Sequence, residues 1–206
     1  MDRVIEQGSL FGPASERLDL GDGEVVYLPG FFEPTESDRL FGELHATTGW
    51  GQDLIKMYGR EMPIPRLTAW YGEPGCVYTY SKIQMEPQGW TPALLEIKAR
   101  VEQETGVGFN SVLANLYRDG KDSVAWHSDD EPELGPRPTI ASVSFGATRS
   151  FQLRSKDDDG ARHDLQVAHG SVVIMRGSVQ EAWQHQVPKT SKPVGARINL
   201  TFRTIV

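Results

Sequence analysis

The sequence predicts a mainly β protein of the α+β class, a sandwich or jelly roll carrying helices on one side. Three observations lead there. Two helical segments stand in the first half of the chain, at least five short runs rich in β-branched and aromatic residues follow Gly106, and turn-forming pairs such as Asp119-Gly120 and Asp159-Gly160 separate those runs. A chain of 206 residues fills one core with extensions and would cramp two, so the expectation is a single domain over residues 1–206.

Residues 1–22 carry no pattern and are read as an N-terminal extension. GEVVYLPGFF (Gly23 to Phe32) reads as a strand ending near Pro29-Gly30, and TESDRLFGELHA follows as a short helix that Thr35 can cap. The second helix is clearer: TPALLEIKARVEQETG offers Thr91 as N-cap, Pro92 at the first helical position, Leu94, Leu95, Ile97 and Val101 toward one side, and Gly106 as the stop. From residue 107 the strand-like runs are FNSVLANLYRDG, TIASVSFGATRSFQLRS, HDLQVAHGSVVIMRG, AWQHQVP and ARINLTFRTIV, which together predict the β core.

Composition narrows the function classes. Cys76 is the only cysteine, which excludes internal disulfides and thiolate-rich zinc sites, so a bound metal needs nitrogen and oxygen ligands. The first twenty residues contain acids and no sustained apolar run, and no later stretch approaches bilayer-spanning length, so a soluble, cytoplasmic protein with no membrane partner is expected. A net charge of −7 argues against a generally basic nucleic-acid binder. The distribution is uneven, because Lys189, Lys192, Arg197 and Arg203 fall in a C-terminal stretch without acids, and a short nucleic-acid contact stays open.

The segment SVAWHSDDEPELG places His127 two residues before Asp129, a spacing that puts both on one face of an extended segment. Alone, His-x-Asp is a weak signal. A further histidine, His185, sits in the strand-like AWQHQVP, and two imidazoles plus one carboxylate with open positions are the ligand set of non-haem Fe(II) oxygenases. In RINLTFR, Arg197, Asn199, Thr201 and Arg203 alternate with Ile198, Leu200 and Phe202. Either that polar face lies in water, since burying unpaired arginines costs several kcal/mol, or it meets a bound dicarboxylate suited to guanidinium forks. Asn115 and Tyr117 in ANLYRDG share a face and offer an amide and a phenol to the same acid.

From about Trp50 onward the chain resembles the AlkB family of Fe(II)- and 2-oxoglutarate-dependent dioxygenases. The motifs are NLYRDGKDSVAWHSDDEPELG, ASVSFGATRSFQLR, HGSVVIMRG, WQHQVPK and RINLTFR in family order, and PRLTAWYGE with YTYS is most similar to the branch that repairs alkylated DNA and RNA. The resemblance implies a double-stranded β-helix (jelly roll) core over residues 107–206, with Fe(II), 2-oxoglutarate and O2 as cofactor and cosubstrates. It implies His127, Asp129 and His185 as iron ligands and catalytic centre, and Asn115, Tyr117, Arg197, Asn199, Thr201 and Arg203 around 2-oxoglutarate, with Arg197 on the distal carboxylate.

The aromatic segment 50–81 reads as a nucleotide-recognition lid, in which Lys56, Arg60 and Arg66 are scattered cations. By resemblance Trp50, Tyr58, Tyr78, Thr79, Tyr80 and Ser81 contact the nucleotide, with Tyr80 stacking on the base, and Asp130 and Glu131 lie near it. Trp70 is read as core. The implied reaction is oxidative demethylation of 1-methyladenine and 3-methylcytosine in DNA or RNA, single strands favoured, by a monomer that couples 2-oxoglutarate decarboxylation to methyl hydroxylation and formaldehyde release. The alternative is a hydroxylase of the same chemistry acting on a protein or small molecule.

Overall fold

The computed structural model describes residues 3–6, 15–57, 60–80, 83–157 and 160–206. Its centre is an eight-stranded sheet in the order β1 (Arg3–Glu6), β2 (Ser15–Asp19), β3 (Gly23–Leu28), β14 (Ser171–Gly177), β11 (Ile140–Gly146), β16 (Arg197–Arg203), β9 (Ser111–Tyr117) and β6 (Leu67–Gly72). A four-stranded sheet runs β10 (Val124–His127), β15 (Trp183–Val187), β12 (Arg149–Ser155) and β13 (Arg162–Val167). Two hairpins, β4 (Leu54–Met57) with β5 (Arg60–Pro63) and β7 (Tyr78–Tyr80) with β8 (Ile83–Met85), form separate two-stranded sheets.

Alternation along the strands builds three layers. On β16, Ile198, Leu200 and Phe202 point to the side where α1 (Pro34–Thr47) and α2 (Pro92–Thr105) lie, packing with Leu40, Leu44, Leu94, Ile97 and Val101. Between the two sheets a second core joins Tyr27, Val173 and Met175 of the large sheet to Phe151, Leu153, Leu165, Trp183 and Val187 of the small one. The large sheet is therefore covered on both faces, and this mainly β, two-sheet core with few helices is consistent with a jelly roll. Among the described residues no helix is long and apolar enough to cross a membrane.

Several expectations change. Five strand-like runs become eight strands of the two large sheets, because TIASVSFGATRSFQLRS breaks after Gly146, HDLQVAHGSVVIMRG breaks at Ala168–Gly170, and β10 forms after Asp119-Gly120. That turn does not close a hairpin, since it carries the chain from the large sheet to the small one. Thr35 does not cap α1. The helix begins at Pro34, whose fixed φ suits a first turn, and Glu33 occupies the cap position without a side-chain hydrogen bond. In the N-terminal extension Ser15–Asp19 pairs with β3, so the large sheet recruits it as a strand. Within the span read as a lid, β6 pairs along its length with β9 and buries Trp70, which makes it part of the core.

The α2 boundaries agree with their sequence signals: Thr91 accepts the Leu94 N–H on its side-chain oxygen, and Gly106 closes the helix at φ 69°. Replacing Thr91 by Ala should cost about 1 kcal/mol of unfolding free energy, with Thr91→Ser close to wild type, as measured by urea denaturation.

Candidate active site

Strand pairing brings the histidines together. His127 at the end of β10 stands opposite His185 in the β10–β15 register, and their ring centroids lie 4.2 Å apart. Asp129 follows just past the strand end, and the three side chains place ligand atoms within 4.8 Å of one another. His127 Nδ1 lies 2.9 Å from the Ala125 carbonyl oxygen, which fixes the proton on Nδ1 and leaves the Nε2 lone pair toward Asp129, 3.9 Å from Oδ1. His185 Nε2 is 4.0 Å from Asp129 Oδ2.

Asp129 is only 1% exposed, and Arg203 donates from Nη2 to its Oδ1 at 2.6 Å. Burial works against its ionisation, but the Arg203 guanidinium, then His185 and His127, outweigh it and hold the carboxyl down at about 2. Burial first, and the neighbouring His127 second, push His185 down to about 3, so it is neutral and able to coordinate. Asp129 Oδ2 and His185 Nδ1 are buried with no hydrogen-bond partner among the described residues. An orphaned carboxylate oxygen beside two imidazoles is a donor set that fits a divalent cation taking nitrogen and oxygen ligands.

Across the interior, the polar face of β16 meets this cluster. Asn115, Tyr117, Arg197, Asn199, Thr201 and Arg203 line the same pocket as His127, Asp129 and His185. Arg197 is 1% exposed, donates Nη2 to Ser144 Oγ at 2.9 Å, and sits 5.1 Å from the Tyr117 ring centroid. Burial pulls its guanidinium below the ordinary value, with Tyr117 opposing, and no carboxylate pairs with it among the described residues. A cation buried without an acid suits a carboxylate ligand. Asn199 is more committed: its Nδ2 donates to Ser142 Oγ and the Val143 carbonyl, and its Oδ1 accepts from Thr201, so most of its amide is spent on the sheet.

Some expected residues fall elsewhere. Trp50 packs against the helix-side core and donates Nε1 to the His45 carbonyl, outside the pocket, because it follows directly on α1. Asp130 is exposed beside Lys156 Nζ at 3.4 Å, and Glu131 is half-buried ahead of a 3-10 turn, Pro132–Leu134. Tyr78, Thr79 and Tyr80 form β7, whereas Tyr58 and Ser81 lie outside the described residues. The sequence reading missed Arg66 as a pocket residue; it is buried, and its Nε donates to Asn115 Oδ1 at 2.8 Å. Its spacing of two from Thr68 and four from Trp70, both buried on β6, is the signal that could have found it.

Two imidazoles and a carboxylate beside a buried, acid-free arginine define the class of site that Fe(II)- and 2-oxoglutarate-dependent oxygenases use. The 2OG-Fe(II) oxygenase superfamily model matches residues 24–203. The chain belongs to the AlkB family within that superfamily. It is 46% identical over 98% of its length, and 73% of the relative's, to alpha-ketoglutarate-dependent dioxygenase alkB homolog 3 of Bos taurus. Against the human homolog 3 the identity is 46% over 90% of this chain and 67% of that one. DNA oxidative demethylase ALKBH2 of Mus musculus is 39% identical over 85% of this chain and 77% of its own. In fold, the chain is similar to the solved structure of OsALKBH1, with TM-score 0.64 and 18% identity, covering 91% of this chain and 99% of the other. The protein is thus a dioxygenase whose family uses Fe(II), 2-oxoglutarate and O2.

The depressed His185 makes acid stability testable. Unfolded, the imidazole protonates near 6.5, and folded near 3, so between these values the unfolded chain holds one more proton and stability falls as pH drops. Metal-free protein should lose about 1.4 kcal/mol per pH unit from this group, and His185→Phe should remove that part of the slope when unfolding free energy is followed from about pH 6 to about pH 4.

Proposed function

We propose that the protein is an oxidative demethylase of N-alkylated bases in DNA or RNA, acting on 1-methyladenine and 3-methylcytosine. The observation that carries this reading is the meeting, in one pocket, of the His127–Asp129–His185 cluster with the buried Arg197 that has no acid partner among the described residues. The relatives named as dioxygenases and as DNA oxidative demethylases support the choice of reaction and substrate class.

In this reading the two histidines and Asp129 hold Fe(II), and Arg197 takes the distal carboxylate of 2-oxoglutarate with Tyr117 beside it. Arg203 keeps Asp129 ionised and holds its carboxylate facing the two histidines. Asn115, oriented by Arg66, completes the cosubstrate wall, with Asn199 and Thr201 forming its floor. Fe(II) with 2-oxoglutarate supplies O2 activation, in which one oxygen atom ends in succinate with release of CO2 and the other enters the methyl C–H bond. The resulting hydroxymethyl base loses formaldehyde. The chain's own task is to hold the methyl carbon over the metal face and keep other oxidisable groups away.

Residues 24–203 form one catalytic domain in this reading, and the β4–β5 and β7–β8 hairpins form the recognition lid. Both hairpins stand apart from the large sheets, and the first exposes Leu54 and Met62 by half. Tyr80 is assigned to stacking on the base, with Tyr58, Tyr78, Thr79 and Ser81 around the nucleotide. Single strands are the favoured substrate of a monomer, since an unpaired base spares the cost of extrusion and a chain of net charge −7 has little general attraction for phosphate.

The test is mass spectrometry of a single-stranded oligonucleotide bearing one 1-methyladenine, incubated with protein, Fe(II), ascorbate and 2-oxoglutarate in air. Loss of the methyl group that requires 2-oxoglutarate is expected. Turnover of 2-oxoglutarate without change in any methylated oligonucleotide would instead indicate a protein or small-molecule substrate. Arg197→Met should raise the KM for 2-oxoglutarate by roughly ten- to a hundredfold, the worth of a charge-assisted hydrogen bond. Tyr80→Ala should weaken oligonucleotide use by about 1–3 kcal/mol, read as kcat/KM.

A further inference from the structure

The sheet that aligns His127 with His185 stops short of the third ligand. Pairing between β10 and β15 is irregular between Val124 and His127, and no ladder partner extends to Asp129. Two side chains take over where the ladder ends. Ser128, between the ligands of the His-x-Asp turn, donates its Oγ to the carbonyl of Trp183, two residues before His185. In return Gln180, three residues upstream of Trp183 in the short helix α3 (Val179–Ala182), accepts the Asp129 N–H on its Oε1 at 2.9 Å. Each ligand-bearing segment thus gives one side chain to the other's backbone.

The chemistry of Gln180 shows what its amide is for. The residue is 1% exposed, and among the described residues its Nε2 meets only the Met175 sulfur at 3.4 Å, a weak acceptor. An apolar side chain would suit those surroundings better but for the acceptor that Asp129 needs. The backbone of Gln180 is held in turn, since Lys156 donates Nζ to its carbonyl at 2.9 Å and reaches Asp130 at 3.4 Å. Asp129 is therefore fixed at both ends, its N–H by Gln180 and its Oδ1 by Arg203, with Oδ1 3.9 Å from His127 Nε2 and Oδ2 4.0 Å from His185 Nε2.

We infer that Ser128 and Gln180 are positioning residues, a cross-brace that preorganises the carboxylate against the histidine pair and thereby sets the affinity of the site for metal. The inference rests on the triad being the metal site. Outer partners of metal ligands commonly govern affinity by roughly ten- to a hundredfold.

Mn(II), a redox-stable stand-in taking the same nitrogen and oxygen ligands, is the probe. Its dissociation constant is measured by calorimetry on the full chain, well below the unfolding temperature, for wild type, Ser128→Ala, Gln180→Met, the double variant and His185→Ala. Each brace variant should bind Mn(II) about tenfold or more weakly while its circular dichroism stays that of wild type, and the double variant should lose less than the product of the single losses. A purely structural role would lower the unfolding temperature and leave the Mn(II) affinity of the folded protein unchanged, which would overturn the inference. If Gln180→Met fails to fold, Ser128→Ala, which leaves no buried amide behind, decides alone. A wild type that does not bind Mn(II), or a His185→Ala variant that binds it equally well, overturns the metal-site reading and the brace with it. Binding that His185→Ala abolishes and the brace variants preserve overturns the brace only.

Discussion

Two guanidinium groups on the inward face of β16, Arg197 and Arg203, are the constraint around which the molecule is built. Each is at most 3% exposed, and a buried charge left without compensation costs several kcal/mol. The opposite face of the same strand offsets that cost. Ile198, Leu200 and Phe202 are wholly buried against the helices, and each contributes roughly 1.5–3 kcal/mol. Placement near the middle of an eight-stranded sheet, between β11 and β9, satisfies the backbone on both sides and leaves the strand no freedom to rotate its cations outward. The polar pocket is held in place by the apolar core behind it.

The two arginines then divide the work. Arg203 is matched by Asp129, and that pair keeps the carboxylate ionised in a setting where burial alone would protonate it. Arg197 has a hydroxyl and a phenol ring close by and no carboxylate among the described residues, so the positive potential of the pocket is left for an incoming carboxylate. One pocket thus offers an imidazole pair with a carboxylate on one side and a guanidinium without an acid partner among the described residues on the other. A divalent ion and a dicarboxylate would neutralise both at once, which is why their binding should be mutually favourable.

How much of this the sequence showed follows from which forces are local. Period-two alternation in RINLTFR identified the polar face, and Thr91, Pro92 and Gly106 marked α2, because strand pleat and helix caps are fixed by neighbours along the chain. Periodicity could not say whether the face of Arg197 was wet or buried, since that depends on a second sheet closing over it. The His-x-Asp spacing likewise could not show that Asp129 lies beyond the strand and is held by Gln180 from far along the chain. Ser128, between His127 and Asp129, ties this stretch to the Trp183 carbonyl. Arg66 was read as one more scattered cation, whereas it is buried with its Nε donating to Asn115.

These same forces separate chemistry from recognition. Every residue of the candidate metal and cosubstrate site lies in one of the two large sheets or within two residues of a strand in them, and their positions are fixed by pairing, packing and buried hydrogen bonds. The hairpins β4–β5 and β7–β8 are two-stranded sheets of their own, an arrangement that has marginal stability without packing partners. Neither hairpin takes part in the β10–β15 register that aligns His127 with His185. If the hairpins read the substrate as proposed, such a fold can alter its substrate while the candidate metal site stays constant, because pairing and buried hydrogen bonds in the large sheets position His127, Asp129 and His185.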